Sequence, residues 1–159
     1  MARMLVAYHS RGGNTKEMAT LVGSGASSVG GVEVDVKPVA SIRAEALTGY
    51  DAIVLGSPTY YGLPAAEVKK LLDDSVAFHG QLEGKVGGAF SSSANIAGGN
   101  ETTIMAILEA LLIHGMVVQG TSAGDHYGPV AVGKPDGRAT DQCKAYGKRV
   151  ATLAKSLHG

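Results

Sequence analysis

Short apolar runs alternate with longer amphipathic stretches along the whole chain. Five segments have the apolar character of β-strands, and they comprise residues 4–8, 32–36, 52–56, 85–90 and 116–118. The continuous apolar run from Ala52 to Gly56 is typical of a parallel strand that is covered on both faces. The segment from Val32 to Val36 instead alternates apolar and charged residues, which is typical of a half-buried edge strand. The pattern therefore predicts a parallel sheet with an exposed edge.

Helical periodicity occupies most of the intervals between these strands. Apolar residues recur at spacings of three and four after residue 15, and the same spacing predicts helices over residues 64–76 and 101–112 and a last helix that runs to Leu157. Residues 41–47 are expected to form a short helical connection, and residues 120–139 a long loop. With right-handed crossovers, this order predicts an α/β three-layer sandwich with a five-stranded parallel sheet of order 2-1-3-4-5.

The composition of the chain excludes several classes of function. The chain has 159 residues, so we expect one domain over residues 1–159. Its 14 basic and 14 acidic residues give a formal net charge of zero, whereas nucleic-acid binders usually carry a basic surplus. A single cysteine, Cys143, excludes internal disulfides and iron–sulfur or zinc patterns with several cysteines. We therefore expect a cytoplasmic location, no metal site and no membrane insertion, because no signal pattern and no bilayer-length apolar run is present.

A polar, glycine-containing loop from His9 to Thr15 joins the first strand to the first helix. Such a loop brings free backbone N–H groups, hydroxyls and the positive end of a helix dipole to one point, which suits a phosphate. An ordinary helix cap of Ser, Gly, Asn and Thr would have the same composition. The Walker A pattern is absent, and the first loop contains neither the cysteine of small phosphatases nor the carboxylates of receiver domains.

Two further loops follow the third and fourth predicted strands, at the same edge of the sheet. Tyr60 and Tyr61 present flat faces on which a flavin ring would stack, although paired tyrosines also occur at plain surfaces and subunit contacts. The serine-rich segment from Ser91 to Gly99 offers amides and hydroxyls to a polar pyrimidine edge, although an ordinary flexible loop has the same composition. Together, the three loops predict flavin mononucleotide (FMN) as the cofactor.

The chain resembles the flavodoxin-like FMN proteins and, among them, the WrbA-type NAD(P)H:quinone oxidoreductases. The segments that carry the resemblance are YHSRGGNTKEMA, GSPTYYGLPAAEVKKLLDD, FSSSANIAGGNETT and GDHYGPVAV. The resemblance implies a flavodoxin-like fold, bound FMN and NAD(P)H as the electron donor. It implies three groups of FMN-binding residues, which are Ser10, Arg11, Gly12, Gly13, Asn14 and Thr15 at the phosphate, Pro58, Thr59, Tyr60, Tyr61 and Gly62 beside the ring, and Ser91, Ser92, Ser93, Ala94, Asn95 and Gly98 at the pyrimidine side.

The resemblance also implies that His126 faces the flavin, often from a neighbouring subunit of a dimer or tetramer. Because imidazole is a common general acid, His126 is a candidate to donate a proton to a reduced quinone, and a solvent-exposed loop histidine without a chemical role is the alternative. Two departures stand out. The segment from Ala40 to Tyr50 lacks the insertion of longer family members, and the family tryptophan near Phe78 is missing because the chain has no Trp.

The expected reaction is therefore reduction of a quinone-like small molecule by NAD(P)H, with hydride transfer through flavin N5. The alternative is a flavodoxin-type electron carrier that docks on redox protein partners, although such carriers are usually strongly acidic. A binding module without activity is a third possibility. Gly120 to Gly124 matches the hydrolase elbow G-x-S-x-G, but loop residues and not a helix follow the serine.

Overall fold

Seven strands and four α-helices make up the structure, a computed structural model that describes residues 1–159. The strands are β1 (Ala2–Tyr8), β2 (Val32–Pro38), β3 (Ala52–Tyr60), β4 (Leu63–Pro64), β5 (Val86–Ser93), β6 (Val117–Val118) and β7 (Val130–Val132). The helices are α1 (Asn14–Ser27), α2 (Ala66–Ser75), α3 (Asn100–Ile113) and α4 (Gly137–His158). Short 3-10 turns cover Val39–Ser41, Ala44–Gly49 and Val76–Phe78.

The central sheet has the order β2-β1-β3-β5-β6, and all of these neighbours are parallel. The five predicted strands are these five, so the predicted order 2-1-3-4-5 is confirmed. Two strands were missed. Strand β4 forms an antiparallel hairpin with β3, and β7 pairs in parallel with the end of β5, inside the predicted long loop.

Two apolar cores lie on opposite faces of this sheet. On one face, α1 and α4 cover side chains such as Met4 and Val6 of β1. On the other face, α2 and α3 cover Leu5 of β1 and Ile53 of β3. Alternate residues of the same strands thus point into different cores, which explains why the central strands are continuously apolar.

Strands β3 and β5 are longer than the apolar runs that predicted them. Strand β3 continues to Tyr60 and β5 continues to Ser93, whereas the runs end at Gly56 and Phe90. Both extensions are polar, and they are held by pairing of β3 with β5 and of β5 with β7. No helix of the structure combines the length and the apolar character that a membrane crossing requires.

Candidate functional site

A cleft of about 660 Å³ lies at the carboxyl ends of β1, β3 and β5. Its size is within the range of small-molecule sites, and its position is where open α/β sheets bind their ligands. Most of its lining is polar. The lining residues are Ser10, Arg11, Gly12, Asn14, Thr15, Pro58, Thr59, Tyr60, Ser92, Ser93, Ala94 and Gly133.

The loop after β1 leaves the start of α1 uncapped. Gly13 precedes the helix with a φ of 100°, and no side chain caps the first turn. The hydroxyl of Ser10 accepts the N–H of Gly13 at 3.1 Å, which fixes the loop just before the helix. Because the first N–H groups of a helix have no acceptor within it, and because the helix dipole is positive there, this end of α1 favours an anion.

The backbone of this loop is also accessible. A Cβ atom placed on Gly12 or Gly13 would meet no heavy atom within 4 Å. Arg11 is exposed and forms no ion pair with another side chain of the structure. An anion at the end of α1 would therefore meet open amides and an available guanidinium.

The two tyrosines occupy different positions. Tyr60 lies at the end of β3 and lines the cleft with 38% of its surface exposed. Tyr61 is fully exposed and forms, with Gly62, the two-residue turn between β3 and β4. Their φ values of 51° and 78° are those of a type I′ hairpin turn. Neither Tyr61 nor Gly62 contributes to the lining of the cleft.

Helix α3 holds this turn in place. The hydroxyl of Thr102 donates to the carbonyl oxygen of Gly62 at 2.6 Å, and it also lies 2.9 Å from the carbonyl oxygen of Gly99. Because Gly99 has a φ of 100° and its Cα faces Gly62, a side chain there would collide with the turn. The hairpin that carries Tyr60 is thus anchored to the first residues of α3.

The predicted serine-rich loop begins as a strand. Ser91, Ser92 and Ser93 belong to β5 and are buried, so the predicted end of the strand at Phe90 was wrong. Ser91 is completely buried, and its hydroxyl lies 3.0 Å from that of Thr59 on β3. Thr103 of α3 donates to the same Thr59 oxygen at 3.1 Å. Ser91 therefore lies beneath the cleft, whereas Ser92 and Ser93 line it.

The turn after β5 is exposed. Ala94 lines the cleft, whereas Asn95 and Gly98 lie in the turn outside its lining. Ser93 links the turn to α3, because its hydroxyl donates to the Asn95 carbonyl at 2.9 Å and accepts from the Asn100 amide at 3.0 Å. The main chain of this turn is therefore held close to the cleft.

His126 does not line the cleft in this chain. It is exposed on the loop between β6 and β7, and its Nδ1 lies 2.9 Å from the carbonyl oxygen of Thr121. Because a carbonyl only accepts, Nδ1 carries the hydrogen and Nε2 is directed away from this contact. The fold thus brings most of the loop after β1 together with Tyr60, Ser92 and Ser93 at the cleft, whereas His126 lies outside the lining of that cleft.

One lining residue was missed by sequence reasoning. Gly133 follows β7 and donates its N–H to the carbonyl oxygen of Ser93 at 2.8 Å. The three-residue strand β7 that positions Gly133 is too short to show a clear periodicity, so no sequence pattern predicts it.

The remaining titratable groups offer no nucleophile or metal site. Cys143 is fully buried, and burial raises the pKa of its thiol to about 12, which keeps it protonated and unreactive. No three His, Cys, Asp or Glu side chains are grouped closely enough to hold a metal ion. The lining of the cleft itself is mainly polar.

Comparisons with known proteins show which family the chain is similar to. The family model for NADPH-dependent FMN reductases matches residues 37–128, which is more than half of the chain. A protein of Aquifex aeolicus named flavodoxin is 39% identical over 95% of this chain and 86% of its own length. A protein of Archaeoglobus fulgidus named NAD(P)H dehydrogenase (quinone) is 35% identical over 99% of this chain and all of its own length.

The fold also matches a solved structure. The flavodoxin, WrbA-like protein from Agrobacterium tumefaciens superposes with a TM-score of 0.81 at 28% identity, and the match covers 99% of each chain. The alignment with the Archaeoglobus protein extends over 191 positions, more than the 159 residues of this chain. That relative therefore contains residues that this chain lacks.

Proposed function

The chain belongs to the NADPH-dependent FMN reductase family, and we propose that it binds one FMN in the cleft and uses NAD(P)H to reduce quinones or similar small acceptors. The observation that carries the proposal is the convergence of the uncapped start of α1, the Tyr60 hairpin and the end of β5 on one cleft of about 660 Å³. A relative that is named NAD(P)H dehydrogenase (quinone) supports this class of reaction, the reduction of quinones by NAD(P)H.

The residues of the cleft fit the phosphate end of FMN. The first-turn amides of α1 have no acceptor in the chain, because Gly13 precedes the helix without a side-chain cap. Ser10, Asn14 and Thr15 add hydroxyl and amide donors around the same point. These donors, with the open backbone of Gly12 and Gly13, would hold the phosphate.

The opposite part of the cleft fits the ring. Pro58, Thr59 and Tyr60 form its wall on the β3 side, where Tyr60 would stack against a flat π-system. Ser92, Ser93 and Ala94 form the β5 side, where the hydroxyls of Ser92 and Ser93 and nearby main-chain groups suit a polar ring edge. The other predicted residues of these two segments lie next to the walls but outside the lining of the cleft; they are Tyr61, Gly62, Ser91, Asn95 and Gly98.

FMN, when bound, supplies the capacity to accept a hydride at N5 and to pass electrons to a quinone. The chain supplies binding and orientation, and no side chain of the cleft is placed as a nucleophile. We assign His126 to proton donation in the pocket of a neighbouring copy, because it is exposed and outside the lining of its own cleft. An imidazole is a common general acid in enzymes and suits that role.

The first experiment tests the proposed position of the FMN phosphate by introducing a negative charge beside it. Gly12→Asp introduces a carboxylate beside the proposed phosphate position without a steric collision, and Gly30→Asp is the matched control because a Cβ at Gly30 also meets nothing within 4 Å. We expect Gly12→Asp to raise the Kd of FMN at least about tenfold through like-charge repulsion, and Gly30→Asp to leave it unchanged. Equal FMN affinity in both variants would contradict the placement of the phosphate.

The second experiment tests the reaction on the FMN-loaded protein. Anaerobic mixing with NADPH or NADH is expected to bleach the flavin absorbance, and benzoquinone is expected to restore it over many turnovers. His126→Gln should lower the turnover only if the protein forms dimers or tetramers in solution, which size-exclusion chromatography with light scattering determines. Bleaching by dithionite but not by either nicotinamide would contradict the proposed reaction.

An electron carrier is the second candidate, and one observation favours it. Next to the lining residues Tyr60 and Ala94, the chain exposes Tyr61, Leu63 and Ile96, of which Leu63 is 58% and Ile96 87% exposed. Exposed apolar groups beside a redox site suit docking of a redox protein. A carrier would, after dithionite reduction, pass electrons rapidly to cytochrome c and show no turnover with NAD(P)H and benzoquinone.

A further inference from the structure

The first residue of β7 is held on its free side by an ion pair. The N–H of Val130 donates to Oδ2 of Asp125 at 2.9 Å, and the carbonyl oxygen of Val130 accepts from Nη2 of Arg138 at 2.7 Å. The two side chains also contact each other, because Nη1 of Arg138 lies 2.7 Å from Oδ1 of Asp125. The Asp125–Arg138 pair therefore satisfies both backbone groups of Val130.

The Asp125–Arg138 pair occupies the place that a further strand would take. Strand β7 pairs with β5 on one side, and no other strand pairs with it. A strand at the edge of a sheet leaves a row of N–H and C=O groups unpaired, and a strand of three residues makes few hydrogen bonds of its own. Because the pair binds both groups of Val130, it stabilises β7 where the sheet itself does not.

Helix α4 fixes the position of the pair. Arg138 is the second residue of α4, where the helix dipole disfavours a cation, and the carboxylate of Asp125 offsets this cost. One turn later, Oε1 of Gln142 accepts the N–H of Asp125 at 3.1 Å. Only 16% of the Asp125 side chain is exposed, so its carboxylate depends on the donors around it. The start of β7 is therefore tied to the first two turns of α4.

The other end of β7 reaches the cleft. Residues 130–132 pair in parallel with residues 91–93 of β5. Directly after this pairing, the N–H of Gly133 donates to the carbonyl oxygen of Ser93 at 2.8 Å, and both residues line the cleft. Asp125 and Arg138 do not line it. Any effect of the pair on the cleft therefore passes through the position of β7 and its pairing with β5.

We propose that Asp125 and Arg138 are positioning residues of the cleft, which hold β7 against β5 and so fix the wall that contains Ser93 and Gly133. The inference rests on the FMN binding proposed above, because the polar edge of the flavin ring would lie at the β5 side. The phosphate would lie at the start of α1, on other elements of the fold. Loss of the pair should therefore weaken the contacts to the ring and leave those to the phosphate.

Fluorescence titration of the apoprotein with FMN and with riboflavin, which lacks the phosphate, tests this role. We expect Asp125→Ala to raise the Kd of both flavins at least about fivefold, and by the same factor within about twofold. Arg138→Ala removes a half-exposed side chain and keeps the hydrogen bond from Val130 to Asp125, so it should raise both Kd values by a smaller factor. The matched control is Asp35→Ala in β2, at the other edge of the sheet, where the carboxylate pairs with Lys37. It should leave both Kd values unchanged.

Amide hydrogen exchange of the flavin-free protein, followed by NMR, tests the position of β7 by itself. The N–H groups of Ser91 and Gly133 donate across the contact between β5 and the chain around β7. We expect both amides to exchange at least about fivefold faster in Asp125→Ala than in the wild type. The N–H of His9, which donates to the carbonyl oxygen of Gly56 at 3.0 Å, should keep its wild-type rate.

Three results would overturn the proposal. They are an unchanged Kd of riboflavin in Asp125→Ala and Arg138→Ala, a loss of affinity confined to FMN, which would place the effect at the phosphate, and equally accelerated exchange at His9, which would indicate a general loss of stability. The failure of the proposed function is a separate result. A wild type that binds neither flavin, with faster exchange of Ser91 and Gly133 in Asp125→Ala, refutes FMN binding and keeps the positioning of the cleft wall. Normal flavin binding by the wild type with unchanged exchange in the variant refutes the positioning alone.

Discussion

The hydroxyl oxygen of Thr15 lies 2.9 Å from the hydroxyl oxygen of Ser92. Thr15 is in the first turn of α1 and Ser92 is in β5, so the contact joins the phosphate loop to the opposite side of the cleft. Thr15 is 2% and Ser92 6% exposed, and neither hydroxyl has another side-chain partner. The two walls of the candidate site are therefore fixed to each other by one buried hydrogen bond.

Replacing Thr15 by valine should measure the strength of this connection. The variant keeps the shape of the side chain but leaves the Ser92 hydroxyl buried without a partner, so we expect the free energy of unfolding of the apoprotein to fall by about 1–3 kcal/mol. Thr15→Ser keeps the hydroxyl and is the control. Urea unfolding of both variants checks this, and an unchanged free energy of unfolding in Thr15→Val would contradict a contribution from the hydrogen bond.

The double variant Thr15→Val with Ser92→Ala provides a second check on the same bond. Because both hydroxyls are then absent, no polar group is left unsatisfied, and we expect the double variant to be more stable than Thr15→Val alone. Additive losses would contradict the coupling between the two residues.

A second prediction concerns the two glycines of the phosphate loop. Gly13 has a φ of 100°, a conformation that strains any other residue, whereas Gly12 does not have such a φ and both sites have open space for a Cβ. We expect Gly13→Ala to lower the free energy of unfolding of the apoprotein by about 1–2 kcal/mol, and Gly12→Ala to change it by less than about 0.5 kcal/mol. Urea unfolding measures both, and similar losses would show that the backbone conformation is not the cause.

The sequence predicted the sheet better than it predicted where the strands end. Runs such as Ala52 to Gly56 are apolar because both faces of the sheet are covered by helices, and this burial is visible in the sequence. The continuation of β3 to Tyr60 is not visible, because it depends on pairing with β4 and β5. Local composition there, with Pro58 and two tyrosines, favours a loop.

The polar residues of the site were predicted to lie at the correct edge of the sheet, but the segment from Ser91 to Ser93 was predicted as a loop and is part of a strand. Ser91 is a completely buried strand residue because its hydroxyl lies against that of Thr59, a residue 32 positions away in the chain. Such a partner cannot be identified from a pattern of neighbouring residues. The same limit applies to Gly133, whose position depends on the pairing of β7 with β5.

A third prediction follows from the single cysteine. Cys143 is buried in the core between α4 and the sheet, and burial raises the pKa of its thiol to about 12. We expect iodoacetamide to leave the folded protein unmodified near about pH 8, because almost no thiolate is present and the sulfur is inaccessible. Mass spectrometry checks this, with the urea-unfolded protein as the control that must be alkylated. Rapid alkylation of the folded protein would contradict the burial of this side chain.

The last prediction concerns a buried imidazole. His114 follows α3 and is 7% exposed, and its Nε2 lies 2.8 Å from the hydroxyl of Ser75. The Ser75 hydroxyl donates to the carbonyl of Leu72, so it accepts from Nε2–H, and Nδ1 is left buried without a partner. Burial lowers the pKa of His114 below its ordinary value of 6.5, and the nearby His79 makes a smaller contribution in the same direction.

The folded protein should therefore lose stability as the pH falls below about 6.5. Because the folded pKa is depressed, the unfolded chain binds the proton first, and the contribution of His114 is complete above the unfolded pKa and declines below it by up to about 1.4 kcal/mol per pH unit. The free energy of unfolding, measured in urea between about pH 7 and about pH 5, should fall more steeply for the wild type than for His114→Gln. His126→Gln, which removes an exposed imidazole, serves as the control and should keep the wild-type slope. Parallel curves for the wild type and His114→Gln would show that the buried imidazole does not titrate with unfolding, even if the variant is less stable at every pH.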